Sequence, residues 1–88
     1  MRITFDPAKR ERTLEELDFA DADQVFAGTT FDRVDNRQDY GEERITTIGR
    51  MADRMVVIVS TQRDHARHVI SMRKANDREQ ARYEAYLD

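Results

Sequence analysis

Apolar positions along this 88-residue chain change spacing from alternation to helical periodicity and back. Ile3 and Phe5 alternate with polar neighbours, which predicts a short strand. Asp6 followed by Pro7 then marks a helix start, supplying a carboxylate for free amides and a preset φ. The helix expected from Pro7 to Leu17 carries only Leu14 and Leu17 at spacing three, so a single narrow stripe faces inward. Asp18 is an N-cap candidate for a second helix. Phe19, Ala22, Val25 and Phe26 recur there at three- and four-residue spacing before Gly28 stops it. The two helices are expected to form an αα-hairpin.

Beyond Gly28 the pattern turns to strands. Residues 29–34 are β-branched and aromatic, and residues 35–41 read as a polar loop. Residues 43–50 and 55–60 are the clearest strands, joined by a short connection into an antiparallel hairpin. The run Val56 to Val59 lacks alternation, as in a central strand covered on both faces. A polar turn over 61–64 leads to another strand from His65 to Arg73. Strict alternation there groups Arg67, Val69, Ser71 and Arg73 on one face and Ala66, His68, Ile70 and Met72 on the other. Asn76 and Glu79 fit a capping box for a last helix, 77–87, with Tyr83, Tyr86 and Leu87 on its apolar side. The order β-α-α-β-β-β-β-α predicts an α+β fold, with an antiparallel sheet, helices on one side, and one domain spanning residues 1–88.

Composition narrows the classes. No cysteine is present, so neither a disulfide framework nor a thiolate metal site is available. The first residues form no apolar leader, and no stretch nears the roughly 18 apolar residues of a membrane span, so a cytoplasmic protein without membrane contact is expected. A net charge of −3 is a poor match to a phosphate-binding protein until its distribution is read. Eleven acidic side chains oppose three basic ones between Glu11 and Glu43, whereas seven basic oppose three acidic ones between Arg54 and Arg82. The second half therefore carries a locally positive, anion-facing surface, or else an ordinary solvated one.

Along the chain stand, in order, Phe5-Asp6-Pro7-Ala8-Lys9, Asp18-Phe19 through Val25-Phe26, Asp39-Tyr40-Gly41-Glu42, Ile48-Gly49-Arg50 and Ile70-Ser71-Met72-Arg73-Lys74-Ala75 with Glu79 beyond. On these segments, most specifically the last, the whole chain resembles the BrnT family of type II toxin-antitoxin ribonucleases. It implies a RelE-like fold, RNA cleavage that stops translation, and a BrnA-type ribbon-helix-helix antitoxin through which alone DNA is contacted. Glu15-Glu16-Leu17 and Ser60 through Asp64 depart from the family pattern. These departures carry the alternative reading: a catalytically weak homologue serving as a binding module in an antitoxin and operator complex.

Metal-independent RNA cleavage needs a base for the 2′-hydroxyl, donors for the phosphorane's charge and an acid for the leaving 5′-oxygen, with no cofactor. Arg67 and Arg73 are candidates to hold phosphate, with Ser71 between them, although exposed arginines paired with acids fit the same pattern. Lys74 and Glu79 form a candidate proton-transfer pair, and a capping box accounts for Glu79 equally. His65, at the strand start, is the more plausible acid or base, whereas His68 is expected to be a hydrogen-bonded core residue. Arg63, Arg78 and Tyr83 are further RNA-contact candidates, with packing the simpler role for Tyr83. Lys9 and Arg12 are antitoxin-contact candidates or a solvated helix face. The histidines are not expected to form a metal site, since they fall on opposite strand faces.

Overall fold

In chain order the elements are β1 (Arg2–Phe5), α1 (Pro7–Thr13), a 3-10 turn (Phe19–Asp21), α2 (Ala22–Ala27), β2 (Phe31–Asp35), β3 (Arg44–Met51), β4 (Arg54–Arg63), β5 (Ala66–Lys74) and α3 (Asp77–Leu87). They belong to a computed structural model that describes residues 2–13, 17–35 and 42–87. The expected continuation of the first helix through Glu15 and Glu16, hence the turn of the αα-hairpin, lies outside the described residues. So does the loop over 36–41.

Local chemistry explains the helix boundaries. The Asp6 carboxylate accepts the Ala8 amide at 2.9 Å, capping α1 where Pro7 opens it. Asp18 accepts the Ala20 amide at 3.0 Å and so starts the 3-10 turn that precedes α2. Arg10 reaches the same carboxylate through two N–H groups, at 2.6 and 3.0 Å, fastening α1 to that turn. At α3 the capping box closes in both directions: Glu79 donates its amide to Asn76 Oδ1 at 2.8 Å, and the Asn76 amide donates to Glu79 Oε1 at 3.0 Å.

The sheet runs in the order β1-β5-β4-β3-β2. Strands β2 to β5 pair antiparallel, but β1 pairs parallel with β5, so the sheet is mixed and not antiparallel throughout. Three hairpin reversals set the direction of β5, and β1 docks beside it with Phe5 packed edge-on against Phe19 at 6.2 Å. No local pattern in residues 2–5 encodes that choice. Turn chemistry closes the β4–β5 hairpin: Asp64 and His65 have φ of 47° and 65°, the positive pair of a type I′ loop. β4 extends to Arg63, through most of the segment expected to be a turn.

Helices cover both faces, which corrects the expectation of a single helical layer. On one side Leu17, Phe19, Ala22 and Val25 pack on Val56, Ile58, Val69 and Met72. On the other, Tyr83 and Leu87 of α3 pack on Ile48, Met55, Val57 and Ala75. Alternate residues of β4 feed opposite cores, so its unbroken apolar run is the signature of a doubly covered strand. Val56 and Ile58 are fully buried; burying side chains of this kind is worth about 1.5–3 kcal/mol each.

One irregularity reorganises β5. Val59 pairs with Ser71 and Ser60 with Val69, leaving Ile70 as an extra residue between two pairs, a β-bulge. Alternation is interrupted there, so Val69 and Met72 reach the same core although they are three residues apart. β1 accompanies β5 only from Ala66 to Val69. Beyond it the Lys9 ammonium donates to the Ile70 carbonyl at 3.1 Å, covering an exposed edge acceptor.

Candidate functional site

The bulge decides which side chains can act together. Arg67 lies on the α1/α2 side with Val69, its guanidinium 4.9 Å from the Phe26 ring centroid and one N–H donated to Ser60 Oγ at 3.3 Å. Its Nε is buried, with no hydrogen-bond partner among the described residues. Ser71 and Arg73 lie on the α3 side. Arg67 and Arg73 therefore point to opposite sides of the sheet, overturning the expectation that they share a face; a strictly alternating strand would have grouped them, and the extra residue Ile70 separates them. His68 changes sides with it: it pairs with Thr61 and Thr4 and stands on the α3 side, across the sheet from Met72, with which strict alternation groups it.

Around Ser71 and Arg73 a cavity of about 300 Å³ opens between the sheet and α3. Two cross-strand rows build its floor. One runs Arg33, Thr46, Val59, Ser71, and the other Phe31, Ile48, Val57, Arg73, each residue facing the next across neighbouring strands and all but Phe31 lining the cavity. Glu79 and Tyr83 of α3 complete the wall. With strands about 4.8 Å apart, the two arginine-bearing strands stand roughly 14 Å apart across the groove. Arg33 and Thr46 escaped sequence reasoning. The alternation of Phe31 and Arg33 was visible, but the register that aligns Arg33 with Ser71 exists only after four strands have paired.

At one end, Arg73 donates two N–H bonds to Glu79, at 2.7 and 2.8 Å. This pairing, helped by the Asn76 amide and opposed by burial, holds the Glu79 carboxyl down at about 2. Glu79 is thus a helix cap and an ion-pair partner at once, and a weak proton acceptor while it stays in the Arg73 fork. Lys74, its expected proton-transfer partner, aligns with Val56 and so belongs to the opposite side of the sheet. Tyr83 is buried between Phe31 and Tyr86, with ring centroids 5.3 and 6.3 Å away, so it packs while lining the cavity.

Toward the other end of β5, His68 Nδ1 and the Thr4 hydroxyl share a hydrogen bond of 2.8 Å. Burial lowers the His68 pKa, aided by the positive charges of Arg63 and Lys9 and opposed by Glu42 and Asp6. Counted on β4, His68 is two positions from Ser71, about 7 Å along the sheet. His65 is exposed in the hairpin turn, eight residues from Arg73 and roughly 25 Å away along the strand. Arg63, near that turn, is held by Glu42 through bonds of 2.8 and 3.2 Å. Arg78 is exposed on the first turn of α3.

A smaller cavity of about 170 Å³ lies on the opposite side, lined by Phe19, Ile70, Ser71 and Met72 and flanked by Lys9 and Arg12 of α1. Ser71 borders both cavities because β5 has no β1 neighbour at that level. Among the described residues, no three His, Asp or Glu side chains gather as a metal-ligand set, and no helix is long and apolar enough to cross a membrane.

No curated protein and no solved structure matches this chain. The family model for BrnT, the ribonuclease toxin of type II toxin-antitoxin systems, matches residues 5–79, a span running from the last residue of β1 to Glu79 itself. With an α+β architecture of one five-stranded sheet and three α-helices among its described residues, the chain belongs to the BrnT family of ribonuclease toxins.

Proposed function

We propose that this chain is a metal-independent endoribonuclease that cleaves RNA through the substrate's own 2′-hydroxyl, holding the reacting phosphate in the groove between β5 and α3. The observation that carries the reading is the polar cavity itself: the Ser71 hydroxyl on its floor, with Arg33 and Arg73 at its two sides. Guanidinium groups aimed at one phosphate stabilise the charge that grows as the phosphorane forms. Arg73 meets the phosphate by exchanging one anion, Glu79, for another, and Glu79 orients the fork until that exchange. Proton abstraction falls to His68. It stands on the groove side, is held by Thr4, and its lowered pKa keeps it neutral and able to accept a proton near pH 7. Arg67, Lys74 and His65 carry no step in this scheme, because two face away and the third lies in the distant turn. Arg63 and Arg78 contribute field at the margins.

Growth arrest through loss of translation, a RelE-like layout and neutralisation by a ribbon-helix-helix antitoxin complete the proposal. The cavity flanked by Lys9 and Arg12, apolar within and cationic at its rim, suits an antitoxin segment that alternates apolar and acidic residues. A second reading is favoured by one observation: the fork of Arg73 is already filled by Glu79, as in a homologue that has given up catalysis and retains only partner binding.

Purified protein incubated with total RNA, with and without EDTA, separates these readings. The enzyme is expected to leave 2′,3′-cyclic phosphate ends in both conditions, and Arg73→Ala to lower cleavage roughly 10²-fold or more while antitoxin affinity is kept. Intact RNA in both conditions, or an Arg73→Ala variant as toxic as the parent, sinks the nuclease reading.

A further inference from the structure

Two large hydrophobic side chains are prominently exposed among the described residues, Val34 and Tyr86, and only Tyr86 adjoins the groove. Tyr86 is 58% exposed near the end of α3, whose buried residues are Tyr83 and Leu87. The ring rests on Phe31, centroid to centroid 4.8 Å at 48°, and lies 6.3 Å from the Tyr83 ring. Phe31 in turn precedes Arg33 by two residues on the same strand face, so the strand position that supports this aromatic ledge is about 7 Å along β2 from the one that carries the cation.

We propose that Tyr86, backed by Phe31, is a nucleobase-stacking subsite that receives the base attached to the phosphate bound by Arg33. The inference rests on the ribonuclease reading above and adds a recognition site to it. An exposed aromatic face beside a phosphate-binding cation is the pairing by which single-stranded nucleic acids are held: every base has a π face, and the backbone has the charge. Phe31 beneath the ring keeps it from collapsing onto the sheet, which leaves its outer face open to a base. A purely structural ring would be buried, as Tyr83 is; Tyr86 leans on Phe31 at a tilt and stays largely exposed. The preference expected from such a ledge is for single-stranded over paired RNA, with weak discrimination among bases, strongest for purines because their faces are larger.

The test uses the full chain and fluorescein-labelled 2′-O-methyl oligonucleotides, which lack the attacking hydroxyl, together with an abasic strand of equal length. Wild type is expected to bind the base-bearing strand more tightly than the abasic one. Tyr86→Ala should weaken the base-bearing strand roughly 5- to 100-fold and leave the abasic strand within about twofold, while Tyr86→Phe keeps both. Tyr86→Leu, which still covers Phe31, should lose base binding as Ala does, and serves if the Ala variant does not fold. Arg73→Ala should weaken both strands. Base-bearing affinity unchanged in the Leu variant overturns the subsite while leaving the groove in place, and so does a Tyr86→Ala variant that instead loses only a protein partner. Failure of wild type to bind either strand removes the groove and the ledge together.

Discussion

The Arg73–Glu79 and His68–Thr4 pairs divide the work between charge and proton. In the first, two short bonds hold a carboxylate so firmly that its proton affinity is negligible near neutrality. In the second, burial and the nearby cations Arg63 and Lys9 outweigh the anions Glu42 and Asp6, so the imidazole loses its proton below its ordinary 6.5. A base that must be neutral to act gives a rate that falls on acidification through its own pKa, so cleavage should decline below about pH 6.5. His68→Gln is expected to lower kcat roughly 10²- to 10⁴-fold and to remove that acid limb. A limb that survives in the variant, measured as kcat/KM against pH on an oligonucleotide, assigns the proton to another group. Neither pairing was visible in sequence, although all four side chains were. Glu79 was legible as a cap because Asn76 lies three residues before it, whereas its hold on Arg73 depends on how α3 folds back over β5.

Elements explain why Arg67 misled and Gly49 matters. The periodicity of 66–74 is locally consistent with one uninterrupted strand, and only pairing with β4 reveals Ile70 as the extra residue. The last helix, its capping box and the 43–60 hairpin were legible because their signals are local: spacing, caps and β-branched runs. The parallel seating of β1 and the placement of α3 opposite α2 were not, since both are decided by contacts between segments far apart in the chain. Gly49 marks one such contact. A Cβ built there would stand 2.6 Å from Val25 Cγ1 and 3.1 Å from Thr30 Cγ2, so α2 approaches β3 more closely than any other residue permits. Gly49→Ala should therefore destabilise the fold by about 1–3 kcal/mol, read as a lowered urea midpoint. A variant as stable as the parent would show that α2 can shift away freely.

For the whole molecule, acid sensitivity follows from two carboxylates on opposite sides of the sheet. Asp18, held by Arg10 and the Ala20 amide, and Glu79, held by Arg73, both have pKa values of about 2 in the folded chain, against 3.8 and 4.5 ordinarily. Because the folded values lie below the unfolded ones, the stabilisation is complete above about pH 4.5 and fades as pH falls toward 2. Urea midpoints should drop between neutrality and about pH 3, and the drop should shrink in Asp18→Asn combined with Glu79→Gln. An unaltered drop in the double variant would place the acid sensitivity elsewhere. At the same scale, the bulge makes the groove tolerant of a change in sequence length. Without Ile70, Val69 would adjoin Ser71 directly and still lie opposite Ser60, so Arg67 would stay on the α2 side and His68, with the docked β1, on the α3 side. A single-codon deletion there would smooth the strand and leave its reactive groups where they stand, because the kink had already absorbed the surplus letter.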